Sequence, residues 1–358
     1  VGTWELDTVK WPGNSFRESV DFAHANRMKT LVWFEPERVT HVADLVKNCG
    51  YKAEWAVACG NVTANNIGNE ECFQWTLGCI LDFLKRYDVD MYREDNNCDP
   101  RVLWDALSAR EGADRVGIAE NKSVVAHYRL WDRIIEFCAR NGKDTFVDSC
   151  ASGGGRNDLE SLRRGIPLMR SDADRTTTAL RLSMGTAFNR WVPFHGTSTD
   201  EKDREHAVNG KRDKYIFRAS YNPILKLSAK WVQDPKTDFD LIRFGIKEWE
   251  SVRDYLLKDF YLLTPWNGPT DKTHWTSYAY FDPGTDSGVL FAFRMEDAKE
   301  ISCSIRLNML DTNHVYELHD ADKGVLGKFK GSELAAGFVV THPQPRSAAL
   351  IYMRPLRE

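Results

Sequence analysis

The chain has 358 residues, 42% of them hydrophobic and 28% charged, with a formal net charge of −4. That balance describes a globular chain with ample core, room for one large domain and a small one. It gives nucleic-acid binding no electrostatic support, and no run approaches the roughly eighteen apolar residues of a membrane span. The eight cysteines form no Cys-x-x-Cys pair, so no zinc site is expected. Scattered thiols in a chain of this size fit a reducing, cytoplasmic compartment. The start, Val1-Gly2-Thr3-Trp4, has neither an initiator Met nor a signal-peptide pattern.

Ser15-Phe16-Arg17-Glu18 has the spacing of a capping box and predicts a helix to about Arg27, with Phe16, Val20, Ala23 and Met28 on its apolar side. Leu31-Val32-Trp33-Phe34 reads as a strand buried on both faces, stopped by Pro36 in Glu35-Pro36-Glu37. A weaker strand over 51–58 and a polar loop over 61–69 follow. Phe73, Leu77, Ile80, Leu81 and Leu84 predict a helix over 70–87. A strand is placed over 89–93, and Val124, Tyr128, Trp131, Ile134, Ile135 and Cys138 mark another helix. The strand 145–148 opens into a glycine turn, Cys150-Ala151-Ser152-Gly153-Gly154-Gly155-Arg156, with a short helix around Leu159 and Leu162 after it. Residues 166–169 and 191–195 are further strand candidates, and Leu241, Phe244, Trp249, Val252 and Leu256 mark a long helix. This alternation predicts a parallel sheet. Without a dinucleotide or phosphate-binding fingerprint, a (β/α)8 TIM barrel over 1–266 is the expected form. After Trp266-Asn267-Gly268-Pro269 short strand-like runs separated by turns such as Asp282-Pro283-Gly284 predict a small all-β sandwich over 267–358.

Asp95 and Asp172 each follow a strand candidate. Retaining glycoside hydrolysis needs two carboxyl groups about 5–5.5 Å apart, one attacking as carboxylate and the other serving as acid, then base. Arg93 would keep Asp95 ionised, and Asp174 could raise the pKa of Asp172. The plainer reading is that an Asp after a strand is a turn or cap residue. The glycine turn either bends into a helix or lets substrate hydroxyls approach the backbone. Trp33 is core or a sugar platform. Glu35 and Glu37 bind hydroxyls or pair with bases such as Arg38. His195 is expected to be structural.

Trp33-Phe34-Glu35-Pro36-Glu37, Tyr92-Arg93-Glu94-Asp95-Asn96-Asn97, Cys150 to Arg156 and Arg170-Ser171-Asp172 stand in the order seen in glycoside hydrolase family 36. From Val1 to about Trp266 the chain resembles these melibiase-like α-galactosidases and α-N-acetylgalactosaminidases. The resemblance implies a barrel followed by a β-sandwich, double displacement with retention, Asp95 as nucleophile and Asp172 as acid/base. The candidate substrate contacts are Trp33, Glu35, Arg93, Glu94, Asn97, Cys150, Gly153, Gly154 and Arg170, and no metal or organic cofactor is expected. Where the family has Lys-Trp-Asp, this chain has Arg93-Glu94-Asp95. A Glu94 that faced the pocket would favour an amino sugar. An α-galactosaminide or N-acetylgalactosaminide substrate therefore stays open beside an α-galactoside, as do transglycosylation and an inactive carbohydrate-binding relative. The family's first barrel strand and N-terminal β-sandwich are expected upstream of Val1, which would make the chain a fragment. The expected partners are sugar conjugates and, through the full-length chain, further copies of itself; no nucleic acid or membrane is expected.

Overall fold

Helix and strand alternate through the first part of the chain. The computed structural model describes residue 2 and residues 4–199, 213–227 and 235–356, in two units, Val1–Pro167 and Leu168–Glu358. In the first unit α1 (Ser15–Ala25) leads to β1 (Leu31–Phe34). An excursion follows, with β2 (Arg38–Val39), α2 (Val42–Asn48), β3 (Ala56–Cys59) and β4 (Val62–Asn65). Then α3 (Glu70–Tyr87) precedes β5 (Met91–Glu94), α4 (Pro100–Glu111) and α5 (Ile118–Arg140) precede β6 (Val147–Ser149), and α6 (Leu159–Leu162) precedes β7 (Gly165–Ile166). The strands pair in parallel in the order β1-β5-β6-β7, while β2-β4-β3 form a separate antiparallel sheet.

Helix α3 matches its sequence pattern to the residue. Asn69 caps it by accepting the Cys72 amide, Glu70 and Glu71 lie at its positive end, and Asp88 ends it in the left-handed region at φ 57°. Its buried Phe73, Leu77, Ile80 and Leu84 meet Phe34, Tyr92, Leu130, Trp131 and Val147 in one core. At the start of the strands Asp90 binds the Thr30 amide at 2.8 Å, His24 at 2.7 Å and Lys143 at 3.2 Å.

The second unit contains α7 (Thr178–Phe188), β8 (Gly196–Ser198), α8 (Lys214–Arg218), β9 (Ile224–Lys226) and α9 (Phe239–Val252). After these come β10 (Asp259–Leu262), β11 (Trp275–Asp282), β12 (Ser287–Arg294), β13 (Ser302–Ile305), β14 (Val315–Asp320), β15 (Gly324–Lys330), α10 (Gly331–Ala336), β16 (Phe338–Thr341) and β17 (Ser347–Pro355). Strands β8 and β9 pair in parallel. A six-stranded antiparallel sheet runs β10-β11-β12-β17-β14-β15, and β13 pairs with β16. Along β12 side chains alternate between two cores: Val289, Phe291 and Phe293 join Phe217, Tyr221 and Val252, while Leu290 and Ala292 join Ile305, Leu307 and Leu334. The sheet is buried on both faces, with the β13–β16 pair on one of them.

Several expectations are corrected. Asn14, not Ser15, is the N-cap of α1, and no side-chain cap bond forms. Residues 62–65 are strand rather than loop. Buried Asn65 fixes them by donating to the Pro36 carbonyl and Thr76 while accepting from Tyr51, and those tertiary bonds override the low strand propensity of Ala64 and Asn65. In β1 Trp33 is 51% exposed, so the strand is not buried on both faces. The strand expected at 191–195 lies at 196–198, with Trp191 84% exposed. Gly196 is required there, since a Cβ would sit 2.1 Å from the Leu168 carbonyl oxygen. The C-terminal sheet begins with β10, before the change of texture after Trp266.

Burial works against a charge on Asp90, but the Thr30 amide, His24 and Lys143 hold its carboxyl down at about 2, below its ordinary 3.8. A depressed carboxylate stabilises the fold fully above its unfolded pKa, and that contribution is lost as pH falls through the folded value. Asp90→Asn should therefore flatten the loss of stability between pH 3.8 and about 2. Denaturant melts across that window check it, and an unchanged slope would refute the assignment.

Candidate active site

Trp33, Arg93 and Asp148 are register partners across β1, β5 and β6, so they share one face of the parallel sheet. Phe34, Glu94 and Ser149 share the other. The ladder continues one residue past the strands, for the Asp95 amide donates to the Phe34 carbonyl and the Cys150 amide to the Glu94 carbonyl, both at 2.9 Å. Alternation returns Asp95 and Cys150 to the side of Arg93.

On that side Arg93 donates to buried Asp148 at 2.5 Å. Burial opposes the Arg93 charge, but Asp148 foremost, then Cys150 and Asp95, raise its pKa. The cation beside Asp95 is thus secured. One Asp95 oxygen, Oδ1, accepts from the amides of Asn96 at 2.9 Å and Ser152 at 3.2 Å. Ser152 also donates through its hydroxyl to the Asn96 carbonyl at 2.8 Å, docking the glycine turn on the Asp95 loop. The turn runs through positive φ at Ser152 (43°), Gly153 (80°) and Gly154 (106°), and the glycines accept this backbone without strain. Cys150 is buried, and that burial pushes its thiol up against the opposing pull of Arg93. Trp33 presents an open ring in the same row.

Three proposed contacts are corrected. Glu94 is fully buried on the opposite face. It accepts from Tyr92 at 2.8 Å and Trp131 at 2.6 Å, and lies 3.0 Å from His127 and 3.4 Å from Arg156. The amino-sugar argument built on Glu94 falls with that placement. Both oxygens of buried Glu35 are taken, one by Arg38 and the other by Asn97 at 2.6 Å; Glu35 supports Asn97, which is itself exposed. Arg170 is buried, pairing with Asp174 at 2.9 Å and donating to the Arg181 carbonyl at 2.8 Å.

In the second unit Asp172 opens a 3-10 turn, Asp172–Arg175, whose N-cap Ser171 accepts the Ala173 amide at 3.1 Å. The Asp172 side chain is 55% exposed and lies 3.2 Å from Arg175. Asp174, two residues on, is matched by Arg170 and by the Thr197 hydroxyl at 2.5 Å, so it is not a lone charge. His195 is structural as expected. It is buried against Asn189 at 2.5 Å and held well below its ordinary pKa by burial and by Arg170.

Glu37, Glu94 and His127 bring ligand atoms within 4.8 Å of one another. Arg156 stands 2.6 Å from Glu37 and 3.4 Å from Glu94, filling with a guanidinium the role a metal cation would have. Burial works to raise the Glu37 carboxyl, yet Arg156, His127 and Asn96 hold it below its ordinary value. Sequence reading missed this cluster because His127 and Trp131 come from α5, far along the chain; Arg156, closing the glycine motif, was its one local sign.

Residues 1–195 match the family model described as melibiase. The chain belongs to the melibiase family. Curated melibiase relatives include α-galactosidase Mel36A of Lactobacillus acidophilus, 24% identical over 52% of this chain and 25% of that protein. α-Galactosidase C of Emericella nidulans is 22% identical over 86% of this chain and 39% of its own length. The chain thus spans well under half of those proteins. Among solved structures, α-galactosidase AgaB of Geobacillus stearothermophilus aligns with TM-score 0.79 and 19% identity over 99% of this chain and 48% of that one. The Lactobacillus brevis α-galactosidase aligns with TM-score 0.77 and 18% identity, again over 99% and 48%. These likenesses show the melibiase fold, a TIM barrel followed by a C-terminal β domain. Among the described residues no helix is long and apolar enough to cross a membrane.

Glu94 holds structure rather than sugar. Its replacement by Ala should lower unfolding stability by about 2–5 kcal/mol, because the buried Tyr92 hydroxyl and Trp131 indole N–H lose their acceptor. Chemical denaturation measures this, and a loss below about 1 kcal/mol would contradict a buried structural role for Glu94.

Proposed function

We propose that this chain carries the catalytic machinery of a retaining α-galactosidase acting on terminal α-galactosides. The observation that carries the reading is Asp95, at the C-terminal end of β5, beside Arg93 and fixed by the amide of the glycine turn. In the first step the Asp95 carboxylate attacks the anomeric carbon while the glycosidic C–O bond breaks, and Asp172 gives its proton to the leaving oxygen. In the second Asp172 takes a proton from water, whose oxygen attacks the same carbon and releases Asp95. Trp33 borders the sugar, Arg93 and Asn97 meet its hydroxyls, and Cys150, Gly153 and Gly154 approach the 2-position. No cofactor enters these steps. The reading takes 1–266 as the barrel region and 267–358 as the sandwich, to whose sheet the stretch before Trp266 lends β10, in a cytoplasmic protein whose eight cysteines are free thiols, assembling with further copies through the full-length chain. AgaA variants of Geobacillus stearothermophilus have been solved with raffinose and stachyose, and oligosaccharides of that class are the substrates to try first.

Asp95→Asn should lower kcat by roughly four orders of magnitude or more, and a 2-fluoro α-galactosyl donor should label the peptide that contains Asp95. Asp172→Ala should lose most on poor leaving groups and regain rate with azide, the sign of a missing acid/base. Label on another carboxylate, or hydrolysis retained by Asp95→Asn, would overturn the assignment.

A further inference from the structure

Resting on the reading of Asp95 as nucleophile, we propose that Arg156 is its positioning residue, acting through Glu37, Glu94 and Asn96 without touching substrate. Glu94 and Asn96 are the residues on either side of Asp95. The Arg156 guanidinium lies 3.4 Å from Glu94 Oε1 and 2.6 Å from Glu37 Oε2. The same Glu37 oxygen accepts from Asn96 Nδ2 at 2.9 Å. One guanidinium therefore fixes both shoulders of the nucleophile. Arg156 also closes the turn that reaches over it, in which the Ser152 amide meets Asp95 Oδ1 and the Ser152 hydroxyl meets the Asn96 carbonyl.

Charge makes the arrangement depend on this side chain. Glu37 and Glu94 are both buried, with side chains 7% and 0% exposed. Two buried carboxylates this close repel unless a cation stands between them. Both carboxylates meet the same guanidinium nitrogen, Nη1, which a planar group holds in place, whereas an ammonium is a point charge on a flexible stem that does not bring it to the same spot. Without Arg156 only the His127 imidazole stands beside the two acids, and their protonation or separation moves Asn96 and with it Asp95. A displacement of about 1 Å at a reacting group can lower the rate on the order of a hundredfold. Arg156 lines a cavity of about 170 Å³ together with Glu37, His127, Trp104 and Tyr128, so a small cation in solution has a way to the place its side chain would vacate.

The test uses the full chain with an aryl α-galactoside. Arg156→Ala should lower kcat about a hundredfold with KM little changed, Arg156→Lys should fall in between, and guanidinium ion at millimolar concentration should restore rate to Arg156→Ala but not to Asp95→Asn. A rise in KM alone, or a loss of rate that guanidinium does not relieve in a folded variant, would overturn the proposal. A crystal structure of Arg156→Lys gives an answer that does not need activity. Asp95 should have left the Ser152 amide, and finding it in place would sink the inference even if the parent chain proved inactive on galactosides. A parent chain with no such activity and an Asp95 displaced in the variant would instead remove the proposed function and leave the positioning role standing.

Discussion

Two carboxylates, Glu37 and Glu94, lie buried within reach of one guanidinium, and the first unit is arranged around that neutralisation. An unpaired charge at such depth is unfavourable by several kcal/mol. The chain meets the demand by bringing together β5, the loop after β1, helix α5 through Trp131 and His127, and the glycine turn through Arg156. All of this occurs on the face of the sheet that carries Phe34 and Glu94. The opposite face carries Trp33, Arg93 and Asp148 and is partly open. One face holds the strands in place, and Asp95 sits where the strand leaves the sheet.

The second unit repeats the device. Asp172 is exposed on its turn, while Asp174 just beyond it is buried against Arg170 and Thr197. Farther along, Arg218 is buried between Glu248 at 2.6 Å and Asp322 at 2.7 Å, and Tyr221 donates to Glu248 at 2.9 Å. Buried ion pairs of this sort contribute little net stability compared with apolar packing. What they give is direction, because a guanidinium donates to its carboxylates in few orientations. In both units a more accessible acid, half-buried Asp95 in one and exposed Asp172 in the other, stands within two residues of one held rigidly, which limits how far it can wander.

Legibility in the sequence followed burial. Helix α3 was readable to its ends because its apolar stripe is wide and its caps are local. Helix α4 escaped because it buries a single side chain, Leu103, although Asp99-Pro100 is an N-cap followed by a first-turn proline. Strand β8, Gly196-Thr197-Ser198, has no apolar run to betray it and depends on its pairing with β9. The candidate site could be read only as a set of motifs, and Glu94 shows where the motif misled. Strand alternation alone separates Glu94 from Arg93 and Asp95, so the cue was present. What no local pattern could supply were the partners on α5 that make a buried glutamate tolerable there.

The strand order of the second unit has a bearing on how the protein is made. Strand β17 lies between β12 and β14, pairing with both, although β13 to β16 separate it from β12 along the chain. A nascent chain that has emerged only through β16 holds the β11–β12 hairpin and the β14–β15 hairpin with no common neighbour, each showing an unpaired edge. Such edges invite pairing with other chains while synthesis continues at its slow pace. The arrival of nine residues, Ser347–Pro355, closes both edges at once, so the ribosome's progress to that segment sets how long the sheet stays vulnerable.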